Sequence, residues 1–149
     1  MKKEEDKKTL IRNRKARHDY VIEDTLETGI VLLGSEVKSL RESQASLVDA
    51  HAEVRGGELW LLGAQIHKYP WANQFNHDPM RDRKLLAHKT EIRRLGVKVR
   101  EKGYTLVPLE VYLRNGKVKI ELALARGRQL VEKRQREREK AARREMAEE

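Results

Sequence analysis

VYLRNGKVKIELALA, residues 111–125, is the stretch whose reading decides the fold. Asn115-Gly116 lies between two apolar-rich runs, and this dipeptide suits a two-residue hairpin turn because both turn positions need positive φ. On the far side Val118, Ile120, Leu122 and Leu124 alternate with Lys119, Glu121 and Ala123. That period of two places four aliphatics on one buried strand face.

Upstream, a second hairpin is signalled at Gly56-Gly57, between Glu53-Val54 and Leu59-Trp60-Leu61-Leu62, and Gly29 to Leu33 forms a short apolar run. Two helices interrupt the strands. Ser35 is a candidate N-cap for the first, with Glu36 at its positive end and Val37 and Leu40 one turn apart. The second is predicted from Lys89 to Lys102, with Ile92, Leu95 and Val99 on one face and Gly103 as its stop. Several short antiparallel strands with few helices predict a mainly β protein. The natural candidate is a small closed barrel of the oligonucleotide-binding (OB) type with about two or three packed helices.

A chain of 149 residues fits one domain with a proper core. Its net charge of +9 is uneven. Residues 1–19 carry eight basic against four acidic groups, residues 126–149 carry nine against six, and the middle is close to balance. The expected organisation is a flexible basic arm over 1–13, a barrel over 14–125, and a basic tail over 126–149. The tail holds strong helix formers but too few aliphatics to order itself, so it is expected to be disordered when free and helical when bound. Basic arms attract polyanions through counterion release. The absence of cysteine fits a reducing cytosol, and the N-terminus has basic residues with no apolar stretch behind them, so a cytoplasmic protein with no membrane anchor is expected.

Catalysis has little support in the residues. Five histidines, His18, His51, His67, His77 and His88, could supply the acid and base of a ribonuclease with Arg83 or Lys84 beside them, but nothing in their spacing demands it. His77-Asp78-Pro79 reads as a loop turn, and no metal-ligand spacing occurs. No enzyme and no cofactor are expected. RNA contact fits the motifs better. Arg14, Lys15, Arg17, His18 and Tyr20 gather cations and a ring where the arm enters the barrel, although Tyr20 equally suits a core position in the first strand. Arg81, Arg83 and Lys84 stand beside Leu85 and Leu86, one leucine suited to the core and the other to a splayed base.

Four strings carry a more specific signal: RKARHDY at 14–20, GSEVKSLR at 34–41, HDPMRDRKLL at 77–86 and ARGRQLVEKR at 125–134. In this order and spacing the chain resembles the SmpB family, whose members bind transfer-messenger RNA (tmRNA). The resemblance implies an adaptor, monomeric and 1:1 with its RNA, that grips the tRNA-like domain and delivers it to stalled ribosomes. It implies that the tail occupies the empty message channel next to the decoding centre. By the same resemblance the RNA surface includes Asn13, Tyr20, Glu27, Leu86 and His88. A carboxylate there would accept from a base edge or ribose hydroxyl. The ribosome-binding tail is matched by Gly127, Arg128, Glu132, Lys133 and Arg134. Gln129 stands where lysine is usual, Val131 where a stacking ring is usual, and Glu132 is one methylene longer than the common aspartate. The other readings are a generic single-strand RNA binder or ribosome-associated barrel and, behind it, the ribonuclease.

Overall fold

The structure is a computed structural model that describes residues 7–72, 76–101 and 103–148. Asn115 and Gly116 turn with φ of 51° and 78°, joining β8 (Tyr104–Arg114) to β9 (Lys117–Gly127). From this hairpin β9 also pairs with β2 (Tyr20–Ile30) along nearly its whole length, Tyr20 opposite Gly127 and Gly29 opposite Lys119. The remaining strands of the large sheet are β1 (Lys7–Arg12), β4 (His51–Arg55), β5 (Glu58–Leu62) and β7 (Arg83–Leu86). Their order is β1-β8-β4-β5-β7-β2-β9, all antiparallel, and the additional β8–β9 pairing returns the succession to β8. β3 (Ala45–Ser46) and β6 (Gln65–Ile66) form a separate short ladder.

The expected alternation holds: Ile120, Leu122 and Leu124 join Leu59, Leu61, Leu85 and Leu106 in the main core. Ala123, however, is also buried. It joins Ala125, Val107, Leu109 and Ala16 in a second cluster on the opposite face of β8 and β9. That face is covered by α1 (Arg14–Asp19), a helix that no apolar periodicity announces. Two alanines let its backbone approach closely.

Other elements depart from expectation. The apolar run at 29–33 is only the end of β2, which begins at Tyr20 and carries exposed acids. Lys7–Arg12, expected within a flexible arm, is strand β1 on the edge of β8, anchored by buried Leu10 and Ile11; residues 1–6 lie outside the described part. Helix α2 (Gly34–Arg41) is capped at Leu33, whose N–H donates to Glu36 Oε1 at 2.8 Å. Ser35 does not cap it; its hydroxyl pairs with His77 Nδ1 at 2.8 Å. α3 (Lys89–Val99) packs on β4 and β8, and the tail is helix α4 (Arg128–Glu148), whose start touches α1, β2 and β9.

Candidate nucleic-acid interface

The α1 motif and the tail, far apart in sequence, meet because Tyr20 and Gly127 are register partners at the open ends of β2 and β9. Arg128 Nε donates to the His18 carbonyl at 2.9 Å, and its second nitrogen reaches the Tyr20 carbonyl at 3.4 Å. His18, Tyr20, Gly127, Arg128 and Glu132 thereby line one open groove of about 550 Å³. Arg14, Lys15, Arg17 and His18 are exposed, and Tyr20 is half-buried. Lys15 lies 3.8 Å from Asp49 and Arg17 lies 3.9 Å from Glu121. Such exposed ion pairs are worth little, so a phosphate can displace their acids at small cost. Along α4, Glu132 and Lys133 point to solvent while Val131 and Arg134 are half-buried. The side chain of Gln129 lies outside the described part.

A second region lies on the outer sheet face. Glu27 of β2 accepts from the Tyr112 hydroxyl at 2.5 Å and from Arg114 Nε at 2.8 Å, both on Oε2, which leaves Oε1 without a donor among the described residues. The Tyr112 hydrogen bond holds the Glu27 carboxyl below its ordinary range against the opposing effect of burial, with Arg114 and Lys119 helping. Burial and the Glu27 carboxylate push the Tyr112 phenol up. Lys7 sits over the Tyr112 ring, 4.7 Å from its centroid. Glu27 is thus held as a carboxylate through one oxygen, and among the described residues the other takes no donor.

Gly29, two residues along β2, is the register partner of Leu86 on one side and of Lys119 on the other. A side chain added at Gly29 would start 3.2 Å from Leu86 Cβ, so the glycine leaves room for Leu86 to pack against β2 two residues along from Glu27. Leu86 is half-exposed while its neighbour Leu85 is in the core, which settles which leucine faces outward. Lys84 is on the same face, 3.3 Å from Glu58, and His88 is exposed at the N-terminus of α3.

Two predicted contact residues are framework instead. Asn13 is 2 % exposed; its Oδ1 accepts from the Ala16 N–H at 3.1 Å, and its Nδ2 donates to the Leu47 and Pro108 carbonyls at 3.0 and 2.9 Å. With its side-chain groups spent on capping α1 and tying it to β8, it offers nothing to a ligand. Arg83 is wholly buried and donates to Glu36 Oε2 at 2.5 Å and the Ala64 carbonyl at 2.9 Å. Glu36 is itself wholly buried and also receives Arg81 at 2.6 Å. Burial alone would raise the Glu36 carboxyl, but donors from Arg81, the Leu33 N–H and Arg83 outweigh it and lower it.

Three of the other histidines bond locally, while His67 is exposed. His77 is buried between Ser35 and the Ile66 carbonyl, and His18 and His51 bond to neighbouring Asp19 and Glu53. Among the described residues no group of three or more His, Asp or Glu is placed to hold a metal ion. No helix of the described residues is long and apolar enough to cross a membrane. Tyr112 and Arg114 are the participants that sequence reasoning missed; their only signal was the β8–β9 alternation, which puts both on the outward face with Glu27.

Residues 10–149 match the family model described as SmpB protein. The SsrA-binding protein of Acetivibrio thermocellus is 55% identical over 131 residues, covering 88% of this chain and 85% of the relative. That of Staphylococcus aureus strain JH1 is 52% identical over 147 residues, covering 99% and 96%. A chain from a solved structure concerned with tmRNA–SmpB and the bacterial ribosome superposes with a TM-score of 0.69 at 48% identity, covering 80% of this chain and 85% of that one.

Proposed function

The chain belongs to the SmpB family, and from that membership we propose that it binds the tRNA-like domain of tmRNA and delivers it to stalled ribosomes as an adaptor rather than an enzyme. Its place of work is the cytoplasm, as one copy per RNA. The return of the strand pairings to β8 supports a closed barrel of the OB type.

The observation that carries the reading is that Glu27 and Gly29, the position against which Leu86 packs, lie two residues apart on the outer face of β2. An ionised carboxylate with one open oxygen suits a base edge or ribose hydroxyl, and a half-exposed leucine beside it suits the face of an unstacked base. Lys84 and His88 extend this patch. Arg14, Lys15, Arg17, His18 and Tyr20 supply phosphate and stacking contacts at the other end of β2. The division into a basic arm, a barrel and a tail fits this use. The tail is helix α4 in this structure, but beyond its start it is mostly charged and exposed with little packing to hold it, which suits a helix that frays in free solution and pays its ordering entropy in the message channel. Glu132, Lys133 and Arg134 are its working residues, and half-buried Val131 substitutes aliphatic contact for a stacking ring.

The test is tagging of nascent chains on ribosomes stalled on a message without a stop codon. The full chain carrying Glu132→Ala, Lys133→Ala and Arg134→Ala is expected to bind tmRNA as before and to lose tagging. Full tagging by that variant would overturn the role of the tail.

A further inference from the structure

The cations of α3 fall into two sets. Arg94 pairs with Asp24 at 2.8 Å, and Lys98 lies 3.8 Å from Glu101. Lys89, Arg93 and Arg100 meet no carboxylate among the described residues. They lie at spacings of four and seven residues, a helical stripe about 16 Å long, and line the same groove between α3 and the β4–β5 turn, of about 560 Å³. Its walls include Val54 and Val97, the latter more than half exposed, and the carboxylate that lines it, Glu58, is engaged by Lys84. Three unneutralised cations are therefore gathered along one channel with apolar walls.

The channel does not stand alone. Lys89 follows His88 directly, and Glu58 links it through Lys84 to the strand that carries Leu86. We propose that this groove is a second RNA-binding surface, which tracks the phosphate backbone of the tRNA-like domain as it leaves the Glu27, Leu86 and His88 patch. Arg94 and Lys98 do not line the groove and would release few counterions to an RNA seated in it; Lys89, Arg93 and Arg100 line it and would release their share. The apolar walls between them give room for a ribose or a base edge without adding a competing acid.

This inference rests on the RNA-binding reading above, and the experiment separates the two. Affinity of the full chain for the tRNA-like domain is measured by fluorescence anisotropy across a salt series. The variants are the triple Lys89→Gln, Arg93→Gln and Arg100→Gln, the double Arg94→Gln and Lys98→Gln, and Glu27→Ala. Glutamine is a good helix former, so α3 keeps its fold. The triple variant is expected to weaken binding at least about tenfold at 0.1 M salt and to lower the slope of log affinity against log salt by about two. The double variant is expected to keep the parental slope. A parental slope and affinity in the triple variant, with Glu27→Ala still weakened, would overturn the groove and leave the first surface standing. Equal loss per charge in the double and triple variants would overturn it too, because the effect would then be net charge and not position. A parent chain without preference for the tRNA-like domain over unstructured RNA would bring down both.

Discussion

Arg83→Met removes a wholly buried guanidinium that donates to Glu36 Oε2 at 2.5 Å, to the Ala64 carbonyl at 2.9 Å and to the Pro79 carbonyl at 3.2 Å. Methionine keeps much of the apolar stem, so the loss is mainly electrostatic. Deleting one partner of a buried ion pair costs about 3–5 kcal/mol. Here Arg81 and the Leu33 N–H remain on Glu36 Oε1, but Oε2 loses its only donor among the described residues. The carboxylate stays half compensated, which places the cost near about 3 kcal/mol. For a domain of this size that lowers the melting temperature by about 6–12 °C. A circular-dichroism melt reads it, and RNA affinity measured well below the transition should be unchanged. Lys84→Gln, one residue on, should do the reverse: its half-exposed pair with Glu58 adds little stability, so the melt stays put and RNA affinity falls. An Arg83→Met protein that melts like its parent and has lost RNA affinity would refute the assignment of Arg83 to the core.

Tyr112→Phe removes the donor that holds the Glu27 carboxyl down, so a carbon-detected titration of Glu27 should move upward toward the ordinary glutamate value. Any accompanying loss of RNA affinity should vanish in a Glu27→Ala background; a loss that persists there would mean that Tyr112 acts by another route. Glu36 has a lowered carboxyl, so its contribution to stability is present above the ordinary glutamate pKa and is lost as pH falls through the lower folded value. Acid denaturation profiles of the parent and Glu36→Gln should therefore converge at low pH, and a gap that widens on acidification contradicts that sign. Asn13→Ala gives up a helix cap and two buried carbonyl partners, worth about 2–3 kcal/mol in a denaturant melt, and a cost below about 0.5 kcal/mol would show the side chain to be dispensable.

The β8–β9 hairpin was legible because Asn115-Gly116 admits few backbone solutions and the alternation after it has one buried phase. α3 was legible for the same kind of reason, with Ile92 and Leu95 buried as their spacing predicts. β2 was mostly hidden, since Glu23, Asp24, Thr25 and Glu27 place polar groups where the sheet faces water, and only the pairing with β7 and β9 makes them a strand. α1 was hidden because six residues are too few to show a period; its burial rests on Ala16 and the small residues beneath it. The candidate site was legible in part. Arg14, Lys15, Arg17 and Leu86 are exposed, as contact with a ligand requires, but an arginine that grips a phosphate and one that neutralises a buried glutamate read alike in sequence. Arg83 and Asn13 belong to the framework because of partners, Glu36, Ala64, Leu47 and Pro108, that only the folded chain brings to them.

The central claim is recognition of a folded, tRNA-like RNA by the face that joins Glu27 to Leu86. Its most direct test is a competition in which the full chain, bound to labelled tRNA-like domain at physiological salt, is challenged with unlabelled tRNA-like domain or with unstructured RNA of equal length. The expected result is displacement by the folded RNA at concentrations at least about tenfold lower, a preference that shrinks when Glu27 and Leu86 are both replaced by alanine, each lost contact being worth about 1–3 kcal/mol. Equal displacement by the two RNAs, or a preference untouched by the double replacement, would contradict it.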